Sequence, residues 1–291
     1  MGKYVYMNGE LVEKENAKIS VFDHGVLYGD GVFEGIRAYN KRIFKLKEHI
    51  DRLYNSAKII MLEIPLTKEE FIEATVKVCK ANEIVDGYIR PVVTRGIGNL
   101  GLAPWQCKDP TVFIIADKIQ LYPEEFYEKG MPVITVPTRR NLTEAVNPVI
   151  KSLNYLNNIM AKIEGKTAGV EEVIMLNQEG YVAECTGDNI FIVKGNKIFT
   201  PPAVAGALQG ITRDVVIELA EKSGYSVVER FFSRAEMFIA DEVFLTGTAA
   251  EIVPIIKVDG RIIGDGKPGK ITKHLIQEFK NYVVKEGTPI E

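Results

Sequence analysis

The chain has 291 residues, with 36 Lys and Arg against 39 Asp and Glu, for a formal net charge of −3. Hydrophobic residues make up 46% and charged residues 26%, the mix of a globular protein with a large core, and the length suits two domains better than one. This balance excludes disordered, collagen-like and coiled-coil classes, and it gives no electrostatic reason to bind nucleic acid or an anionic membrane.

The first elements are hairpins. Lys3–Met7, the Asn8-Gly9 turn and Glu10–Glu13 form one, and Gly35–Tyr39, Asn40-Lys41 and Arg42–Lys45 form another. Leu46–Leu62 has apolar residues at helical spacing (Ile50, Leu53, Ala57, Ile60, Met61), and Pro65 follows its end. Thr67 with Glu70 predicts a capping box for a helix reaching about Asn82. Gly87–Thr94 and Thr111–Ile115 read as strands around a Gly/Pro-rich loop, Arg95–Asp109. The pattern pauses at Asp117–Glu124, where we place a domain junction. Beyond it come a strand at Met131–Pro137, a polar loop, a helix near Leu153–Thr167, and strands at Glu171–Leu176, Tyr181–Glu184, Asn189–Val193 and Lys197–Thr200. A helix at Thr212–Ser223, buried strands at Val227–Phe231 and Glu242–Leu245, a hairpin through Asp259-Gly260 and a helix at Gly269–Val284 complete the chain. Hairpins dominate and βαβ alternation is absent, so the class is mixed α/β (α+β) rather than a doubly wound sheet.

The three cysteines, Cys79, Cys107 and Cys185, form no CxxC pair, so neither a disulfide framework nor a structural zinc site is expected, and a reducing compartment is the default. The N-terminal segment has no signal-peptide pattern and no apolar run is long enough to cross a bilayer, which together suggest a cytoplasmic protein. GxGxxG, GxxxxGK[ST], HExxH and GxSxG are all absent. His24, His49 and His274 have no ligand spacing, so no metal is expected. Carboxylate or lysine catalysis, or a cofactor that carries the chemistry, remains.

Four segments suit one such cofactor. Lys151 stands beside apolar residues at a loop-to-helix junction, where a lysine can form a Schiff base, although an arbitrary lysine more often caps a helix. Glu184 ends a strand before a turn of small residues, as an ordinary hairpin-end carboxylate or as a buried acid for a protonated ring nitrogen. Leu208-Gln209-Gly210-Ile211-Thr212 opens a helix, either as a phosphate site or with Thr212 as a simple cap. Leu245–Glu251 ends a strand in small and hydroxyl residues that let a ligand approach the backbone. An aldehyde, a ring nitrogen and a phosphate on one molecule would use all four, and pyridoxal 5′-phosphate has these groups.

The motifs YGDGVFEGIRAY at 28–39, HIDRL at 49–53, YIRP at 88–91, KSLNY at 151–155, ECTGDNIF at 184–191, LQGITRD at 208–214 and TGTAAE at 246–251 occur in the order found in class IV (fold type IV) pyridoxal phosphate-dependent aminotransferases. The chain resembles that family nearly end to end, and within it the branched-chain amino acid aminotransferases. The resemblance implies a smaller N-terminal α/β domain over 1–118, a linker over 119–127, a larger cofactor-binding domain over 128–291, and the cofactor in the cleft between domains. Lys151 matches the Schiff-base lysine, Glu184 the acid on the pyridine nitrogen and Tyr155 the phenol on the 3′-oxygen. Arg52, Gly210, Ile211, Thr212 and Thr248 match the phosphate contacts, and Leu208 matches the residue packed on the ring. Phe33, Arg37, Tyr88 and Tyr122 match pocket walls, Tyr88, Thr248 and Ala249 the α-carboxylate contacts, and Tyr28 and Leu102 residues that close the pocket across a subunit interface. Arg90, or Arg37 near it, would meet the distal carboxylate of glutamate.

The implied reaction moves the amino group of L-leucine, L-isoleucine or L-valine to 2-oxoglutarate in a ping-pong cycle, in a homodimer at minimum, with amino acids and 2-oxo acids as the small-molecule partners. KSLN, YGDGVFE and HIDRL also occur in D-amino acid aminotransferases. Those enzymes place an Arg and a His in the loop after TRG, and here 96–104 holds neither. The D-specific activity is therefore the alternative, followed by aminodeoxychorismate lyase. From outside catalysis come a cofactor-binding homologue without activity and a metabolite binder with no cofactor.

Overall fold

The computed structural model describes residues 2–119 and 121–291. These divide into two compact units. The first comprises 2–119, 150–154 and 283–291, and the second 121–149 and 155–282. Each is built around its own sheet.

In the first unit, Asn8 and Gly9 both take positive φ (48° and 101°) and join β1 (Tyr4–Met7) to β2 (Glu10–Glu13). This is the turn geometry that an Asn-Gly pair favours. A short helix, α1 (His24–Tyr28), is capped by Asp23, which accepts the Gly25 N–H at 2.7 Å. The sequence pattern does not announce it, because five residues are too few to show a period. Then follow β3 (Gly31–Phe33), β4 (Ile36–Tyr39), β5 (Arg42–Ile43), α2 (Leu46–Ile59), α3 (Lys68–Ala81), β6 (Gly87–Thr94) and β7 (Val112–Asp117). The capping box at Thr67 and Glu70 is complete, with both reciprocal bonds formed. The described residues form an antiparallel eight-stranded sheet in the order Thr288–Pro289, β5, β4, β6, β7, β1, β2, with β3 also on β6. Alternation along the strands gives it two faces. Ile36, Ala38, Ile89, Val93, Ile114 and Ala116 join Ile50 and Leu53 of α2 and Phe71 and Val78 of α3 in the core. Phe33, Arg37, Tyr88 and Arg90 occupy the alternate positions.

Residues 150–154 lie along β3. Phe33 donates its N–H to the Lys151 carbonyl (3.0 Å), and Leu153 donates to Gly31 (2.9 Å). This pairing is why the helix expected from Leu153 starts later, at Leu156.

The second unit carries α4 (Glu124–Lys129), β8 (Met131–Thr135), α5 (Leu156–Thr167), β9 (Val173–Leu176), β10 (Val182–Cys185), β11 (Asn189–Lys194), β12 (Lys197–Thr200), α6 (Ile211–Lys222), β13 (Ser226–Glu229), α7 (Arg234–Phe238), β14 (Glu242–Gly247), β15 (Glu251–Val258), β16 (Arg261–Ile262) and α8 (Lys270–Val283). Its described residues form a nine-stranded mixed sheet, β10-β9-β8-β15-β14-β11-β12-β13, with β16 on β15. Its core holds Met131, Ile174, Ile190, Phe232, Leu245 and Val253. The strand expected to be buried at Val227–Phe231 is instead β13, whose residues are mostly exposed. Among the described residues it pairs with β12 alone, at the sheet edge. No helix among the described residues is long and apolar enough to cross a membrane.

Candidate active site

Each unit carries its own set of chemically equipped residues. In the first, Lys151 is presented by the segment paired with β3, and its backbone N–H donates to Ser56 Oγ of α2 at 3.2 Å. Its Nζ lies 4.8 Å from the centre of the Phe33 ring. The Arg90 guanidinium lies 4.7 Å from the same ring, and Arg90 Nη2 donates to Tyr88 Oη at 2.7 Å. The sheet thus brings a primary amine, two aromatic walls and a guanidinium together on one face. Such a face suits an aliphatic chain and a carboxylate alike. Arg37 pairs with Tyr88 across β4 and β6 and stacks on Tyr39, 5.0 Å from the ring centre.

Arg52, on α2, is held by Glu34. Nε donates to Oε1 at 2.7 Å and Nη2 to Oε2 at 2.8 Å, while His49 Nδ1 lies 2.8 Å from Oε2. Glu34 is completely buried. Burial pushes its carboxyl up, but Arg52 and His49 together outweigh that and hold it well below the usual carboxylate range. Burial pushes the His49 imidazole down against the pull of Glu34, so Nδ1 carries the hydrogen that Glu34 accepts. The pair fixes the direction of the Arg52 side chain.

In the second unit, Glu184 lies on β10, buried. Arg140 holds its Oε1 through Nε (2.7 Å) and Nη2 (2.6 Å), and the Leu208 N–H donates to Oε2 at 2.9 Å. Arg140 Nη1 reaches Asn157 and Asn158 (3.1 and 3.0 Å), so the guanidinium is fixed on both sides. A carboxylate so held has a fixed direction in which to meet a cationic partner.

Helix α6 begins at Ile211 with Gly210 as N-cap, and no side chain caps it. Thr212 is therefore inside the first turn and is not the cap. A Cβ on Gly210 would lie 2.0 Å from Asn189 Oδ1, so only glycine allows this approach. Thr248 and Ala249 form the turn from β14 to β15 and are partly exposed. Backbone N–H groups at an uncapped helix start, with a hydroxyl beside them, have the donor chemistry of a phosphate site. Taken unit by unit, these residues have the chemistry pyridoxal phosphate needs: in the second, an acid held by a guanidinium and uncapped N–H donors, and in the first, an amine on an aromatic face.

The other expected residues are placed as follows. Tyr155 is the N-cap of α5, and Leu208 packs partly buried after the Gly206 turn. Tyr28 donates to the Leu100 carbonyl at 2.5 Å, and Leu102 is 77% exposed in the 95–109 loop. Tyr122 is buried, with its hydroxyl 2.9 Å from both Glu172 and Asp188. Sequence reasoning does not reach Arg140, Glu34, Asn158 and Asp188 as working residues. For Glu34 a signal exists, since it lies inside the EGIR motif. Arg140 is 44 positions from Glu184, and nothing local marks it.

The class IV aminotransferase family model matches residues 31–258. A putative branched-chain-amino-acid aminotransferase of Methanocaldococcus jannaschii is 52% identical over 286 residues, covering 98% of each chain. Among solved structures, the Escherichia coli branched-chain amino acid aminotransferase is similar with a TM-score of 0.97 at 35% identity, covering 100% of both chains. The T.th. branched-chain amino acid aminotransferase complexed with N-(5′-phosphopyridoxyl)-L-glutamate gives a TM-score of 0.93 at 38% identity, covering 98% of this chain and 95% of that one. The chain belongs to the class IV aminotransferase family, and its architecture is fold type IV.

Proposed function

We propose that this enzyme is a branched-chain amino acid aminotransferase. It moves the amino group of L-leucine, L-isoleucine or L-valine to 2-oxoglutarate in a ping-pong cycle, with pyridoxal 5′-phosphate as cofactor. The observation that carries the reading is the face on which Lys151, Phe33, Tyr88 and Arg90 meet. Branched aliphatic chains lie against Phe33 and Tyr88, and Arg90 receives the second carboxylate of glutamate. When bound, the cofactor takes up the amino group and delocalises the electron pair released at the substrate α-carbon.

The chain's own residues do the rest. Lys151 would hold the cofactor at its carbonyl carbon, and its amine would carry the α-carbon proton. Glu184, its charge fixed by Arg140, holds a proton on the ring nitrogen, and Tyr155 meets the 3′-oxygen. Arg52, Gly210, Ile211, Thr212 and Thr248 hold the phosphate, Leu208 packs on the ring, and Thr248 and Ala249 with Tyr88 orient the α-carboxylate. The 96–104 loop, with no Arg or His, and the L-glutamate adduct of the T.th. protein support the L-configuration.

A homodimer is the working form. Trp105 and Leu102, 82% and 77% exposed, with Phe22 and Val26, offer an apolar surface for a second copy. The three free cysteines suit the cytoplasm. Borohydride reduction of the yellow protein followed by peptide mapping tests the reading: the label falls on Lys151, and a lysine-free label pattern refutes it.

A further inference from the structure

Asp188 and Asn189 are consecutive residues that brace two separate backbone segments of the second unit. Asn189 donates Nδ2–H to the Leu208 carbonyl at 2.8 Å, and its Oδ1 occupies the space a side chain at Gly210 would need. Asp188 Oδ1 fills the matching space at Gly247, where a Cβ would fall 1.8 Å from it. Gly210 leads into Ile211 and Thr212, and Gly247 leads into Thr248. These are the two segments assigned above to the phosphate, and the inference rests on that reading.

Asp188 is also one end of a buried relay. Tyr122 Oη lies 2.9 Å from Asp188 Oδ2 and 2.9 Å from Glu172 Oε2. A phenol has one proton, so it donates to one acid and must accept from the other. Glu172 already receives the Val173 N–H (2.8 Å), the Thr186 N–H (2.9 Å), the Thr186 hydroxyl (2.7 Å) and Lys162 Nζ (3.3 Å). That many donors suit an ionised carboxylate. The proton therefore sits on Asp188, which donates to Tyr122, which donates to Glu172.

The groups facing Asp188 agree with this order. Burial and then the Glu172 charge push its carboxyl up to about 7, with a smaller push from Glu184, against the pull of Lys162. Burial, Asp188 and Glu172 raise the Tyr122 phenol, and burial and the surrounding acids raise the Cys185 thiol, so both stay neutral.

We propose that Asp188 is a positioning residue for the phosphate-binding backbone and acts there as a neutral acid, its proton shared through Tyr122 with Glu172. Ionised, it would set a second negative charge against the Gly247-Thr248 backbone and weaken the hold on the anion. Neutral, it supports the turn without opposing the ligand.

The test is calorimetric binding of pyridoxamine 5′-phosphate to the cofactor-free protein from about pH 5.5 to about pH 8.5. Wild type is compared with Asp188→Asn, a neutral isostere, and Asp188→Ala. The ligand's own titration is common to all three and cancels. Wild-type affinity is expected to fall relative to Asp188→Asn as pH rises through about 7. The fall should reach about tenfold for each unit by which binding the phosphate shifts the acid. Asp188→Ala binds weakly at every pH. Infrared difference spectra should show a protonated-carboxyl C=O band below that pH that Asp188→Asn removes. Parallel wild-type and Asp188→Asn profiles, or no such band, overturn the proposal. If wild type binds the ligand at no pH while the band is present, the phosphate assignment fails and takes the role of Asp188 with it. Should Asp188→Asn not fold, Tyr122→Phe decides: it moves the pH at which affinity breaks, and an unmoved break overturns the relay.

Discussion

Replacing Arg140 with methionine removes the cation from a buried carboxylate. Glu184 and Arg140 are each 5% exposed, and two guanidinium nitrogens hold one carboxylate oxygen at 2.7 and 2.6 Å. Methionine keeps most of the stem's volume, so the main loss is electrostatic. A buried charge left without its partner costs about 3–5 kcal/mol. The Leu208 N–H, 2.9 Å from the other oxygen, is donated in wild type and variant alike and so leaves this difference unchanged. Arg140→Met should therefore lower unfolding stability of the cofactor-free protein by about 3 kcal/mol in denaturant titrations followed by circular dichroism. Glu184→Gln made alone leaves the guanidinium unpaired, and the double variant removes both charges. The double variant should then lose less than the sum of the singles, by about 2 kcal/mol. Additivity of the two singles within about 0.5 kcal/mol would refute the account of this pair.

Three further expectations concern residues on both units. Glu34 is held below its ordinary value of 4.5, so its contribution to stability is present above that pH and is lost as pH falls below it. Glu34→Gln should accordingly destabilise by about 3 kcal/mol at neutral pH and by progressively less in acid, as read from melting across pH. Arg90→Ala should cost glutamate and 2-oxoglutarate about 10–150-fold in kcat/KM, the equivalent of one charged hydrogen bond, while leucine is nearly spared; equal losses for both substrates would remove Arg90 from this role. Gly210→Ala forces a Cβ to within 2.0 Å of Asn189 Oδ1, and the displaced loop should weaken pyridoxamine 5′-phosphate binding at a stability cost of about 1–3 kcal/mol.

Local signals in the chain are enough for much of the fold. Asn8-Gly9 and Asp259-Gly260 mark turns because their backbone takes positive φ, and Thr67 with Glu70 marks a helix start because the two cap each other. Ser233 and Glu236 form an equally good capping box at the start of α7, a signal of the same kind that a five-residue helix makes easy to overlook. The start of α5 is not legible, because residues 150–154 are taken by pairing with β3 across more than a hundred positions. The site divides the same way. Lys151, Glu184 and Arg52 sit in motifs, whereas what fixes them comes from elsewhere in the chain: Arg140 for Glu184, Glu34 for Arg52, and Phe33 under Lys151. Tyr122 shows the limit of matching by residue type. A tyrosine expected on a pocket wall also links two buried acids through its hydroxyl, a contact set by Glu172 and Asp188, 50 and 66 positions away.

The most direct test of the central claim is the visible spectrum of the purified protein with pyridoxal phosphate, before and after one amino donor is added without any 2-oxo acid. L-leucine and D-alanine are compared in parallel. The account predicts a yellow protein that bleaches with L-leucine and is unchanged by D-alanine. Bleaching by D-alanine alone would reverse the stereochemical assignment, and a protein that stays colourless would contradict the assignment of Lys151 and Glu184 to a single cofactor.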